Sequence, residues 1–328
     1  MSAPSLDPLL NALHEPMQAV EAVIHDRLSS IAPLIPHISS HLIDAGGKRI
    51  RPLLLLAAAK LVNPAAETPA ALAAAVEFIH TATLLHDDVV DDGQVRRGKP
   101  AANAVWGNKA AVLVGDFLFS RAFQLMVDGG DMEVLRVLAD AANTIAEGEV
   151  LQLSASGNIK LAEAQYFRII DAKTAALFAA AMEVGARAAG ADVEVSVRFQ
   201  RIGFSLGRAF QLLDDVLDYS GDAAATGKAI GTDFFEGKVT LPVLKAYAAA
   251  SPVERTFWEN TFAPNAQRDG AALDAALMLL KKHSTLENVR ALAAVETEKA
   301  TALLAPTRAT PLGKALDDAV AFLLSRHF

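Results

Sequence analysis

An all-α fold is what this sequence predicts, on three observations. The chain lacks the period-two alternation of apolar and polar residues that marks half-buried strands. Ala- and Leu-rich stretches of helical length recur along it instead. Breakers cut these into about a dozen pieces, at Gly46-Gly47, Asn63-Pro64, Gly93, Gly129-Gly130, Gly157, Gly190, Gly221 to Gly237, Ser251-Pro252, Pro264, Pro306 and Pro311. No break is long or polar enough to be an interdomain linker. The expectation is one domain over residues 1–328, a bundle whose central helices are hidden by outer ones.

Composition narrows the function classes. Hydrophobic residues make up 52% of the 328, ample material for a core. A formal net charge of −8 argues against a nucleic-acid surface, so local basic clusters are read as specific sites. With no cysteine, disulfides and thiolate metal sites are excluded, which fits a reducing compartment. The N-terminus has no apolar core of signal-peptide length. No apolar stretch reaches membrane-spanning length without polar residues, so a soluble cytoplasmic protein is expected.

Taken in order, Leu9 to Ile43 predicts two helices parted near Pro33–Pro36, with no chemical signal. Gly46-Gly47-Lys48-Arg49-Ile50-Arg51-Pro52 then sets flexible glycines and a basic trio at the start of an apolar helix. That combination suits an anion site, although a plain basic loop reads equally well. From Thr68, with Pro69 placed as a first helical residue, the chain is nearly apolar all round and should be buried. It closes on Asp87, Asp88, Asp91 and Asp92, with Gly93 behind them as a stop signal.

That ending is costly. Asp87 and Asp91 share a helix face and repel each other, at the end where the helix dipole disfavours negative charge. A solvated turn accounts for Asp91 and Asp92, but not for Asp87 and Asp88 beside Leu84 and Leu85. A divalent cation resolves the conflict, and Mg²⁺ suits a few carboxylates completed by water and phosphate oxygens.

On the same helix Glu77-Phe-Ile-His80 matches the Glu-x-x-His of di-iron bundles, but no other His has Glu three residues before it. His80, about two turns before Asp87, is either a phosphate contact or a satisfied core histidine. His86 stays unassigned. Arg96-Arg97, following four aspartates, suits a diphosphate held by metal on one side and guanidinium forks on the other; a solvated basic run is the plainer alternative.

Ala110–Met126 predicts a helix carrying Asp116, either a core polar contact or a support for the site. Ala139–Leu153 predicts another, with Glu147, Glu149 and Gln152 as cavity-lining or surface positions. The helix near Tyr166–Met182 encloses Lys173 and Thr174, expensive to bury without a partner, which a diphosphate or a developing cation would supply. Then Arg208-Ala-Phe-Gln211-Leu-Leu-Asp214-Asp215-Val-Leu-Asp218 repeats the first acidic pattern, with Gln211 another polar intrusion. Two such ends facing each other would form a carboxylate-lined mouth for several Mg²⁺ ions. Thr226 to Lys238 is a Gly-spaced basic loop of phosphate-handling type, without Walker spacing. Beyond Thr240-Leu-Pro242 the chain predicts amphipathic outer packing.

From about Gly46 to Leu244 these motifs resemble the E-polyprenyl diphosphate synthase (trans-isoprenyl diphosphate synthase) family: Gly-Gly-Lys-Arg-Ile-Arg-Pro, Leu-Leu-His-Asp-Asp-Val-Val-Asp with Arg-Arg-Gly, Lys-Thr, Phe-Gln-Leu-Leu-Asp-Asp-Val-Leu-Asp, and the Gly-Lys to Thr-Leu-Pro run. The resemblance implies an isoprenoid-synthase-type helical bundle around an apolar cavity, acting as a homodimer. It implies that Asp87, Asp91 and Asp214 hold about three Mg²⁺ ions, supported by Asp88, Asp215 and Asp218. Arg96, Lys173, Lys228 and Lys238 would grip an allylic diphosphate of farnesyl or geranyl type. Lys48, Arg51, His80 and Arg97 would grip isopentenyl diphosphate, with Thr174 and Gln211 near the reacting carbons.

Product length should be set below the first motif. Ala82 and Thr83 are small where short-chain relatives of the family carry bulky aromatics. A helix from Pro69 to Asp91 spans roughly 33 Å, enough for a deep shaft, with Phe78, Ile79 and Phe123 as candidates for its floor. The resemblance is closest to long-chain synthases making quinone side chains of roughly eight to ten isoprene units. It leaves room for peripheral membrane contact at product release. A short-chain synthase and a non-catalytic partner subunit are the alternatives. Terpene cyclases share the acidic motif, but would not be expected to need the Lys48/Arg51/His80 group.

Overall fold

A computed structural model of the chain describes residues 5–43, 47–96, 98–220 and 230–324, and those residues are mostly helical, with one short hairpin as their strand structure. The N-terminal region forms α1 (Asp7–Ala12), α2 (His14–Arg27) and α3 (Leu34–Ile43), three helices where two were expected. Pro36 lies inside α3, in its first turn, where a missing N–H removes no intrahelical bond. α4 (Ile50–Val62) and α5 (Ala70–Val90) are the apolar helices anticipated. In α4 every residue from Pro52 to Ala59 is buried, and in α5 every residue from Ala73 to Ile79.

α5 stops by a different device from the one expected. Asp92, not Gly93, takes the left-handed backbone (φ 52°), and the Gly93 N–H closes the end on the Asp88 carbonyl at 2.9 Å. Aspartate tolerates that conformation better than most side chains. A short hairpin follows, β1 (Val95–Arg96) against β2 (Lys99–Pro100), the only strand pair among the described residues.

Next come α6 (Ala102–Trp106), α7 (Asn108–Asp128) and α8 (Met132–Ala155). α8 begins well before Ala139 because Asp131 caps it, its side chain accepting the N–H groups of Glu133 and Val134. α9 (Glu163–Ile170) runs through a π-turn, Asp171–Ala175, into α10 (Ala176–Ala188); α11 (Val193–Ser220) carries the second acidic motif. The remainder is α12 (Thr232–Glu236), α13 (Leu241–Ala249), α14 (Pro252–Thr261), α15 (Gly270–Lys282), α16 (Thr285–Leu304) and α17 (Pro311–Leu324).

Packing explains which helices are apolar all round. α10 is wedged between α4 and α11, and α5 lies against α7, α4 and α2. One core joins these helices with the first half of α11; a second joins the far half of α11 to α13–α16. Phe78, Phe178 and Phe199 are among the largest side chains fully buried in the first, each stabilising by about 1.5–3 kcal/mol. The π-turn touches α8, α9, α10 and α11. α7 is long and apolar enough by composition to cross a membrane, although it carries Asp116 and Arg121. It packs along α5 and leaves Leu113, Phe123 and Val127 exposed.

Candidate functional site

The π-turn is what draws the two acidic helix ends together. Such widened turns re-aim side chains within an otherwise regular helix. Here Lys173 Nζ lies 2.7 Å from Glu149 of α8 and 3.4 Å from Asp87 of α5. Its neighbour Thr174 donates through Oγ1 to Gln211 Oε1 at 2.8 Å, and Gln211 Nε2 donates to Asp215 at 2.8 Å. Two consecutive residues therefore reach the last turn of α5 and the last turns of α11.

Close approach at this turn depends on two glycines. A Cβ on Gly148 of α8 would meet the Ala172 Cβ and the Lys173 backbone nitrogen, each at 2.8 Å. A Cβ on Gly207 of α11 would meet the Ala175 Cα at 2.6 Å. Neither obstacle is a flexible side-chain tip, so only glycine permits this spacing.

A second bridge closes the mouth. Asp218 accepts the Asp233 N–H at 3.1 Å, and the Lys238 N–H donates to the Asp233 carbonyl at 2.8 Å. The Lys238 ammonium then reaches Asp91 at 2.6 Å and Glu236 at 2.9 Å. The first and second motifs are thus tied twice, through Lys173-Thr174 and through Lys238.

Within each motif the aspartates divide by burial. Asp87 and Asp91 are half-buried, as are Asp214 and Asp218. Asp88 and Asp215 are buried and point inward. Arg96 grips Asp88 with Nη2 at 2.7 Å and Nε at 2.8 Å, and Asn103 donates to the Asp88 carbonyl at 2.8 Å. Arg96, expected on an allylic diphosphate, is therefore engaged with the motif itself. Tyr166 donates to Asp215 at 2.5 Å. Sequence reasoning missed this tyrosine; the signal was a phenol at the head of an apolar helix, which needs a partner once buried.

The electrostatics favour an added cation. Burial raises the Asp87 carboxyl above its ordinary value, against the pull of Lys173 and with a push from Asp91. Burial and Asp87 likewise raise Glu149. Burial, with Asp233 and Asp214 adding, pushes Asp215 up to about 8. Burial pulls the Lys238 ammonium down, but Asp91 and Glu236 outweigh it and raise the net value.

Asp87, Asp91, Asp214 and Asp218 offer carboxylate oxygens, hard ligands of the kind Mg²⁺ takes. Among the described residues no three His, Asp or Glu side chains are grouped to hold a metal alone. Mg²⁺ keeps several of its waters and binds through one or two carboxylates plus phosphate oxygens. Lys173 and Lys238 already set positive charge against Asp87 and Asp91.

On the basic side Lys48 lies over the Phe322 ring at 5.0 Å and Arg51 over Phe178 at 4.4 Å. His80 is half-buried on α5. Arg97 and Lys228 lie outside the described residues. Below the first motif, Phe78, Ile79 and Ala82 are fully buried, and the half-buried Thr83 turns its hydroxyl to the His80 carbonyl at 2.7 Å. Phe123 departs from its expected place. It is 43% exposed on the outward face of α7, so it cannot floor a shaft enclosed by this chain alone. Asp116 sits beside His86 at 3.5 Å, and Glu147 is exposed.

The expectation that the chain beyond Pro242 is only outer packing needs amending. Glu296 of α16 receives Arg208 at 3.2 Å, and Arg208 clamps Asp171 of the π-turn at 2.6 Å. The C-terminal helices thus brace the turn that carries Lys173.

Known proteins resemble this chain over most of its length. A family model described as polyprenyl synthetase matches residues 32–280. Octaprenyl diphosphate synthase of Escherichia coli (strain K12) is 41% identical over 312 residues, covering 95% of this chain and 96% of that relative. The crystal structure of a polyprenyl synthase from Caulobacter crescentus CB15, complexed with calcium and isoprenyl diphosphate, aligns with a TM-score of 0.95 at 48% identity, covering 100% of both chains. A decaprenyl diphosphate synthase from Rhodobacter capsulatus aligns at 0.93 with 50% identity, covering 98% of this chain and 99% of that one.

Proposed function

The chain belongs to the polyprenyl synthetase family, and from that premise we infer that it is a long-chain trans-prenyltransferase. It condenses isopentenyl diphosphate head-to-tail onto an allylic diphosphate, repeatedly, and releases a polyprenyl diphosphate. The observation that carries this reading is the junction at Lys173-Thr174, where an ammonium beside Asp87 and a hydroxyl–amide relay to Asp215 converge.

Asp87, Asp91 and Asp214 would hold about three Mg²⁺ ions, with Asp88, Asp215 and Asp218 behind them. When bound, the metal neutralises charge that builds on the leaving diphosphate. Lys173 and Lys238, with Lys228, bind the same diphosphate, the lysines exchanging a carboxylate for a phosphate oxygen, while Arg96 stays on Asp88 and holds the motif in place. Lys48, Arg51, His80 and Arg97 hold isopentenyl diphosphate. The allylic C–O bond breaks and its electron pair leaves with the diphosphate. The isopentenyl double bond supplies the pair for the new C–C bond, and a proton then passes to the departed diphosphate. The Thr174 and Gln211 dipoles face the cationic carbons, and the apolar helix walls keep water from capturing them.

Ala82 and Thr83 let the tail descend along α5 past Ile79 and Phe78, giving a product suited to a quinone side chain. The exposed apolar residues of α7 and α8, among them Leu113, Phe123, Val127 and Val150, become the contact of a homodimer. On the same reading the enzyme works in the cytoplasm and touches the membrane surface to release its product. The test is incubation with Mg²⁺, labelled isopentenyl diphosphate and a farnesyl or geranyl primer, followed by sizing of the products. A ladder ending in long chains is expected; no elongation with either primer would refute the reading, and a single short product would move it to the short-chain class.

A further inference from the structure

Arg49 and Glu77 are left over from the reaction as written, although both lie in motifs that carry it. Arg49 stands between Lys48 and Arg51, and Glu77 precedes His80 by one helical turn. Arg49 occupies the left-handed region (φ 45°, ψ 44°) as the N-cap of α4. For a side-chain-bearing residue that conformation costs about 1–2 kcal/mol and persists only where the surroundings impose it. The surroundings here are specific. Its guanidinium donates to Glu77 at 2.8 Å, to Glu21 at 3.1 Å and to the Ile43 carbonyl at 3.0 Å. The Glu77 side chain is only 6% exposed, and that of Arg49 10%.

The left-handed residue stands where the basic trio meets α4. Lys48 and Arg51, three apart, flank Arg49 and lie over separate rings, Phe322 and Phe178. Arg49 itself turns toward α2 and α5. A buried carboxylate on α5 therefore fixes, through one guanidinium, the start of α4. The same helix presents His80 one turn further on, so the elements bearing three proposed contacts to isopentenyl diphosphate are joined by this ion pair.

We propose that Glu77 and Arg49 are positioning residues for the isopentenyl diphosphate site, locking the α4 start against α5 so that Lys48, Arg51 and His80 converge on one diphosphate. This rests on the assignment of those three residues to isopentenyl diphosphate. The reading gives specificity to a motif position that otherwise contributes one more positive charge.

The test measures steady-state kinetics for each substrate separately in Glu77→Gln and Glu21→Gln, with Lys48→Ala as reference. Glu77→Gln should raise KM for isopentenyl diphosphate by about tenfold or more, the scale of a buried charged hydrogen bond, and leave KM for the allylic substrate near its starting value. Glu21→Gln removes the more exposed partner and should shift the same constant in the same direction by less. Should Glu77→Gln fail to fold, Glu21→Gln and Arg49→Gly decide, because glycine keeps the left-handed turn without the clamp; both should still raise KM selectively. Equal changes in both KM values, a loss confined to kcat, or no change would overturn the proposal. If Lys48→Ala leaves KM for isopentenyl diphosphate untouched, the underlying substrate assignment fails instead.

Discussion

Replacing Gly148 with alanine should cripple turnover while leaving the fold intact, although the residue touches no substrate. The added Cβ would stand 2.8 Å from the Ala172 Cβ and from the Lys173 nitrogen, about 0.7 Å short of a comfortable carbon–carbon contact. Neither obstacle can rotate away, so α8 and the π-turn must separate by a distance of that order. Overpacking of this size costs about 1–3 kcal/mol. Alanine in a helix interior recovers about 1 kcal/mol relative to glycine, so the net loss of stability should be small. Catalysis should suffer more, since a misplacement near 1 Å of a positioning group costs about 100-fold in rate. The assay is kcat with saturating substrates, beside a thermal melt, with Gly270→Ala as control because a Cβ there meets nothing within 4 Å. An unchanged kcat in Gly148→Ala would refute the claim that the spacing of α8 and the π-turn sets the position of Lys173.

Four further outcomes are expected. Ala82→Phe should shorten the product distribution, read by sizing the chains; an unaltered length would show that the tail does not pass this residue. Tyr166→Phe leaves the buried Asp215 without its 2.5 Å donor, so stability should fall by about 1–3 kcal/mol and half-activation should need more Mg²⁺. In the metal-free enzyme the Asp215 carboxyl is raised to about 8. Its contribution is therefore complete below the unfolded value near 3.9 and is lost progressively as pH rises from there to about 8, levelling off above it, so melting temperature should fall between pH 5 and 8, and less so in Asp215→Asn. Phe123→Asp should shift the protein from dimer to monomer in sedimentation; an unchanged mass would place the contact elsewhere.

Much of this was legible in the sequence, for physical reasons. Helices that are apolar all round have to be buried, and carboxylates repelling each other at the wrong end of such a helix have to meet a cation. Those two demands located α5 and its acidic tip from local pattern alone, and the repeated motif marked the acidic end of α11. Local pattern could not distinguish Asp87 from Asp88, because facing the mouth or the interior depends on what α6 and the hairpin place behind the helix. Nor could it find Tyr166, or Glu296 bracing Arg208 across 88 positions of sequence, since those pairings exist only once distant segments pack.

Residue types and their spacing, then, set the chemistry this chain can perform, because charge and burial conflict within a few turns of helix and the conflict is written locally. Which carboxylates look into the mouth, how Lys173 and Thr174 divide between two helices, and why Arg49 turns away from its basic neighbours were decided only by packing. Each depends on backbone separations of a few ångströms between segments far apart in the chain, a quantity that no local pattern encodes.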